Sequence, residues 1–244
     1  MIRLSVNVNK VATLRNSRGG SLPSVLEAVR VCVAAGAPGI TVHPRADARH
    51  ITFADVREVA GLLGTLDNSV EFNIEGDPRP DLLALVREVR PTQCTLVPVR
   101  PGEVTSQAGW SPNAPGDARA AVRALRAEGV RVSLFVDPGE APIRWAADVG
   151  ADRVELYTEP FARAFERGNA MARESYAIYA RAAVLARSLR MGVNAGHDLD
   201  LANLQLFRGL PHLDEVSIGH ALISHALFVG LDRSVRDYLT VLAG

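Results

Sequence analysis

Three stretches of this chain repeat one pattern: AAGAPGITV, AEGVRVSLFV and VGADRVELY each pass from small residues through a glycine into an apolar segment rich in β-branched residues. A glycine there stops a helix, and the segment after it reads as a buried strand, so helix and strand alternate. Extended along the chain, the reading gives eight strand–helix units of about 30 residues each. Alternation of this kind either closes into a (β/α)8 barrel or winds into an open doubly wound sheet. A length of 244 residues, 48% of them hydrophobic, suits one barrel domain over 1–244, with extra short helices. The G-x-G-x-x-G fingerprint of a dinucleotide-binding open sheet is absent from the first strand–helix turn.

The strands are predicted at 2–8, 39–42, 70–75, 93–97, 130–136, 153–156, 191–194 and 215–218. A first helix is expected to be capped by Ser21, entered through Pro23 and stopped by Gly36; the next starts at the capping-box-like Thr52 and Asp55. Further helices are predicted at 79–89, 117–128, 141–149, 201–207 and 220–242, with a long helical stretch over 158–189 broken near Gly168 and Asn169. Between the first strand and first helix, Ala12 to Gly20 reads as a mobile basic segment. The connection over 98–116, rich in Pro and Gly and containing Glu103, Thr105 and Trp110, is long enough to be functional, and its closure would exclude water from a site.

Charge narrows the function. Lys plus Arg and Asp plus Glu each number 27, so neither nucleic acid nor an anionic membrane surface is an expected partner. Cys32 and Cys94 lie in no ligand spacing and read as reduced, buried small hydrophobes. The N-terminus has no sustained apolar run and no stretch reaches the length of a membrane span, which predicts a soluble, cytoplasmic protein acting on small molecules.

The chemistry concentrates where strands end. GITVHPRADARHIT turns from a strand into a loop carrying His43, Arg45, Asp47, Arg49 and His50. The competing reading is a solvated loop, but the pattern recurs at Glu75, Glu155, His197 and Gly219-His220. A barrel brings the carboxyl ends of its strands to one mouth, which would gather these with Asn7 and Thr105. Imidazoles and carboxylates held together acquire divergent pKa values and serve as acids and bases near neutral pH. Arg15, Arg18, Arg45 and Arg49 suggest two anionic groups to be held, and the helix beginning at His220 offers free N–H groups to phosphate. His212 is placed at the opposite end of the barrel, and His225 reads as structural. A metal-dependent barrel aldolase or hydrolase is the rival, although no H-x-H pair stands on strand one and no H-E-x-x-H helix is present.

Taken in order, NVNKVATLRNSRGG, GITVHPRADARHIT, CTLVPVRPGEVTSQAGW, VSLFVD, VNAGHDL and SIGHALI resemble the successive signatures of the pyridoxine 5′-phosphate synthase family over nearly the whole chain. The resemblance implies a (β/α)8 barrel that assembles into homo-octamers. It also implies a cofactor-free, metal-free condensation of 1-deoxy-D-xylulose 5-phosphate with 3-amino-2-oxopropyl phosphate, releasing phosphate and water. By the same resemblance His43 and Glu75 are proton acceptors, His197 is the proton donor, and Glu155 stabilises developing positive charge. Asn7, Arg18, Gly219 and His220 would contact the aminoketone phosphate, and Arg45, His50 and Thr105 the sugar phosphate. Two positions depart from the pattern: Asn9-Lys10 stands where many members have Asp-His, and Asp198 where many have Gly. Asp198 retains a backbone N–H for phosphate, with its carboxylate expected to point away. The Asn9-Lys10 departure keeps open a catalytically inactive phosphometabolite-binding protein.

Overall fold

Alternate residues of a strand face opposite sides, and this sequence sorts them sharply. Leu4 and Val6, Ile40 and Val42, Cys94 and Leu96, Val132 and Leu134, and Val154 and Leu156 are fully buried apolar side chains of one large core. Their neighbours in sequence are polar: Arg3, Ser5 and Asn7; Thr41; Gln93 and Thr95; Arg131 and Ser133; Arg153 and Glu155. Hydrogen bonds between strands that are not neighbours, Thr95 to Glu155 and Asn194 to Gln93, show that this polar set points into a closed cylinder. The apolar set faces a surrounding layer of helices.

The computed structural model describes residues 1–66, 70–98, 108–110, 112 and 118–244. Strands β1 (Arg3–Asn7), β2 (Gly39–Val42), β3 (Glu71–Gly76), β4 (Gln93–Leu96), β5 (Arg131–Val136), β6 (Arg153–Tyr157), β7 (Gly192–Gly196) and β8 (Leu213–Ile218) pair in parallel in chain order. β8 returns to β1 with Arg3 opposite Glu215, which closes the (β/α)8 barrel and excludes the open sheet.

Around it run α1 (Asn9–Asn16), α2 (Val25–Ala34), α3 (Phe53–Gly64), α4 (Pro80–Val89), α5 (Ala118–Ala127), α6 (Glu140–Val149), α7 (Glu159–Glu166), α8 (Asn169–Ser188), α9 (Leu204–Phe207), α10 (His220–Val229) and α11 (Leu231–Ala243). The capping box at Thr52 and Asp55 forms as expected. So does the break before Asn169, where Gly168 takes φ 112° and ψ 170°, a conformation open essentially only to glycine.

Four expectations are corrected. The basic segment after β1 is not irregular through its first half, because Asn9–Asn16 is helical, with Val11 and Ala12 buried beneath it. Arg15 on that helix is no anion hook: its guanidinium grips Asp55 through Nη1 and Nη2 at 2.5 and 2.9 Å and ties α1 to the start of α3. The cap of α2 is Ser24, whose hydroxyl accepts from Glu27 N at 3.2 Å, rather than Ser21. The terminal helix is two helices, since Gly230 at φ 87° interrupts it. His225 pairs across that break with Asp237 at 3.0 Å, a contact that holds α10 to α11.

Inside the cylinder the amino-terminal end is a closed polar network. Arg131 donates to Gln93 at 2.9 Å and to Glu71, Arg153 donates to Asn194 at 2.8 Å, and Asn194 donates to Glu215 at 3.1 Å. Above it Ser5 meets Thr41 at 2.6 Å, Asn73 donates to Thr41 at 3.2 Å, and Thr95 donates to Asn73 at 3.1 Å. No helix among the described residues is long and apolar enough to cross a membrane.

Candidate active site

At the carboxyl ends of the strands the polar interior opens into a cavity of about 510 Å3, within the usual size range for small-molecule sites. His43 follows β2 directly and is buried. Its backbone N–H donates to Asn9 Oδ1 at 2.9 Å, and Asn9 N in turn donates to Asn7 Oδ1 at 3.0 Å. The start of α1 therefore sets the height of the imidazole. Asn7 Nδ2 also donates to Glu75 Oε2 at 3.4 Å, and that oxygen lies 3.8 Å from His43 Nδ1. The other ring nitrogen, His43 Nε2, is buried without a hydrogen-bond partner among the described residues.

The electrostatics follow from burial. His43 is pushed down to about 3, first because burial strips its hydration and then because His50, Arg45 and Arg79 are positive neighbours. His50 is lowered to about 4 by burial, Arg45 and Lys10. Both rings are neutral at neutral pH, so a lone pair is available for a proton. Glu75 is pushed up to about 7 by burial, against the attraction of His197 and a hydrogen bond from Ser217. Glu155 is raised well above the ordinary carboxylate range by burial and by the carboxyls of Glu75 and Glu215. Gly196 permits this placement: a Cβ there would come within 2.6 Å of Glu155 Oε1.

His197 and Asp198 leave β7 through two consecutive positive φ values, 92° and 58°, a strained turn for side chains with a Cβ. Thr158 Oγ1 holds that turn by donating toward the carbonyls of Gly196, at 2.7 Å, and His197, while Asn203 Nδ2 donates to Asp198 O at 3.0 Å. The His197 ring stands against Tyr157 with centroids 5.2 Å apart and against Phe135 at 6.4 Å. Asp198 does not turn its carboxylate wholly away; it pairs with His197 Nδ1 at 3.1 Å and is held low in pKa by that hydrogen bond. Gly219 packs against Asn7, where a Cβ would sit 3.1 Å from its side chain, and α10 begins at the next residue, so first-turn N–H groups face the cavity beside His220.

Arg45, Arg49 and Lys10 line one side of the cavity beside the neutral ring of His50, a cationic corner suited to an anion. Among the described residues no three His, Cys, Asp or Glu side chains are grouped so as to hold a metal ion. Asn7, His43, Arg45, His50, Glu75, Glu155, His197, Asp198, Gly219 and His220 thus line one cavity, from six of the eight strands and the loops after them. Arg18 is exposed beyond the end of α1 and does not line it, and Thr105 lies outside the described residues. His212 is exposed before β8, at the opposite end. Sequence reasoning missed Phe135, Tyr157 and Ser217, although strand alternation in VSLFV and VELY turns the first two inward with Ser133 and Glu155.

The family model described as pyridoxal phosphate biosynthesis protein PdxJ matches residues 4–244. The chain belongs to that family. Among PdxJ-type relatives, it is 50% identical over 244 residues to the pyridoxine 5′-phosphate synthase of Christiangramia forsetii, covering 99% of this chain and 100% of that one. The corresponding protein of Leptospira biflexa is 48% identical, covering 100% and 98%. The PdxJ barrel also superposes on phosphoribosyl anthranilate isomerase from Thermotoga maritima, with TM-score 0.63, 12% identity and full coverage of both chains. Thiamine phosphate pyrophosphorylase from Pyrococcus furiosus gives TM-score 0.62 at 12% identity, covering 99% and 96%. At those identities the likeness is one of fold alone.

Proposed function

We propose that this chain is a pyridoxine 5′-phosphate synthase of vitamin B6 biosynthesis, condensing 1-deoxy-D-xylulose 5-phosphate with 3-amino-2-oxopropyl phosphate to pyridoxine 5′-phosphate, phosphate and water. The observation that carries the reading is the convergence of two imidazoles and two carboxyls, their pKa values displaced by burial, on one cavity beside a cationic corner. The aminoketone's amine attacks the sugar's ketone to give an imine, and the following dehydration, phosphate loss and ring closure each take a proton from one atom and return one to another.

In this reading neutral His43, with its unpartnered nitrogen, and Glu75, poised near neutral pH, accept protons, and His197 donates one. Burial disfavours the charged form of Glu155, and positive charge developing on the substrate beside it favours the carboxylate, which stabilises that charge. Arg45 and His50 hold the sugar phosphate. The first turn of α10, with Gly219, His220 and Asn7, holds the aminoketone phosphate, and Asp198 N–H stands nearby. Arg18 and Thr105 are assigned phosphate contacts on the resemblance alone. Holding two like-charged substrates together is the larger contribution, because it replaces an unfavourable bimolecular encounter.

The reading includes a cytoplasmic homo-oligomer, an octamer by resemblance. Leu227, Phe228 and Val229 support association: they are consecutive at the end of α10 and 70%, 89% and 41% exposed, an apolar surface that a second copy would cover. Light scattering of the purified protein would show an octameric mass, and a monomer would refute it.

The deciding experiment mixes pure protein with both substrates, with chelator present, and follows the pyridine chromophore and free phosphate together. Their joint appearance supports the reading. Tight substrate binding without product would identify a binding protein, and activity restored only by zinc or manganese would identify a metal-dependent enzyme.

A further inference from the structure

We propose that Arg79 is a positioning residue that fixes His43 and Glu75 relative to one another. The two side chains stand at the ends of neighbouring strands, joined by the β2–β3 ladder and on one side through Asn9 and Asn7, while the loops that follow them need a tie of their own. Arg79 supplies it. Its Nη2 donates to the carbonyl of Pro44, the residue after His43, at 2.6 Å, and its Nη1 donates to Asp77 Oδ1, two residues after Glu75, at 2.6 Å. Nε lies 2.9 Å from Asp81 Oδ1 on the first turn of α4, and the guanidinium carbon sits 5.7 Å from the centre of the Phe53 ring at the start of α3.

One planar fork thus engages the loop after β2, the loop after β3, and the helices that follow both. Its side chain is only 13% exposed, which holds the fork in a single geometry. The 3.8 Å spacing between His43 and Glu75 has no direct hydrogen bond to maintain it; Asn7 and Asn9 tie it on one side, and the span through Arg79 ties the two loops behind it. A lysine carries the same charge but has no rigid fork with which to bridge the two loops.

This inference rests on the roles given to His43 and Glu75 above, and the experiment separates the two. Arg79→Met and Arg79→Lys are compared with the unaltered protein in the coupled chromophore and phosphate assay, at a temperature where circular dichroism shows all three folded. Both variants are expected to lose at least tenfold in kcat while KM for either substrate stays within threefold. Should Arg79→Lys work as well as the unaltered protein, charge and not bridging is what matters, and the proposal is overturned. It is equally overturned if both variants keep their kcat, or if the loss falls on KM. Where the Arg79 variants do not fold, Asp77→Ala removes only the arm on the Glu75 side; a several-fold fall in its kcat supports the bridge, and an unchanged kcat overturns it. Failure of the unaltered protein to make product would count against the proposed reaction instead.

Discussion

The two ends of the barrel are built from the same residue types and treat them in opposite ways. At the amino-terminal end Arg131, Glu71, Gln93, Arg153, Asn194 and Glu215 satisfy one another through hydrogen bonds of ordinary or short length. At the mouth Glu75 and Glu155 take hydrogen bonds of 3.4 Å from Asn7 and Thr95, Ser217 adds one to Glu75, and His43 keeps a buried nitrogen without a partner among the described residues. A polar interior that is closed stabilises the fold, whereas one left open stores unfavourable desolvation that a substrate can relieve. The contrast separates groups that hold the cylinder from groups that act.

Substitutions at the two ends should therefore divide cleanly between activity and stability. The largest effect is expected at the mouth: His43→Ala and Glu75→Gln should each lower kcat roughly 10²–10⁴-fold, with substrate binding by calorimetry little changed. Because Glu75 must be ionised to accept a proton and sits near 7, kcat/KM of the unaltered protein should fall as pH drops below that value. Near-normal turnover in either variant removes that residue from the chemistry.

A second effect has the opposite sign to the usual cost of mutation. An unfolded glutamate ionises near 4.5 but Glu75 in the folded protein only near 7, so ionisation disfavours folding as pH rises through that window and does so fully above it. Glu75→Gln should then stabilise the resting protein at pH 8 by up to about 3 kcal/mol, and not at pH 4. Urea unfolding at the two pH values checks both halves of that statement. At the closed end the expectation reverses: Arg131→Met strands Glu71 and Gln93 and should cost about 2 kcal/mol of stability while kcat of the folded protein holds. Ser133 lies between the two ends, and its buried hydroxyl has no partner among the described residues. Ser133→Ala should change stability by about 1 kcal/mol or less, in the favourable direction, which differential scanning calorimetry would resolve.

Much of this was legible in the chain itself, for a local reason. Strand period and glycine stops are written in short windows, so β2, β5 and β6 read almost to the residue, and a barrel then carries His43, Glu75, Glu155 and His197 to one rim without further information. What was not legible depends on partners distant in sequence. Asn9–Asn16 has no capping side chain of its own; it becomes a helix because Val11 and Ala12 are buried and Arg15 finds Asp55, forty residues on. The same holds for Arg15 itself, which a window reads as a free cation, and for Arg79, whose partners at Pro44 and Asp77 give it a role no motif marks. Arg18 illustrates the limit from the other side, since it lies exposed beyond α1 and off the cavity, and only the resemblance assigns it a phosphate.

The approach of Glu155 to Gly196 couples two positions that stand forty-one residues apart in sequence and belong to neighbouring strands. A methyl group at 196 would press on the end of the Glu155 side chain, which has to shift its carboxyl to make room. Gly196 thus sets where that carboxyl can stand, and an exchange to alanine would be felt first as a displaced acid at 155 and not as a broken strand.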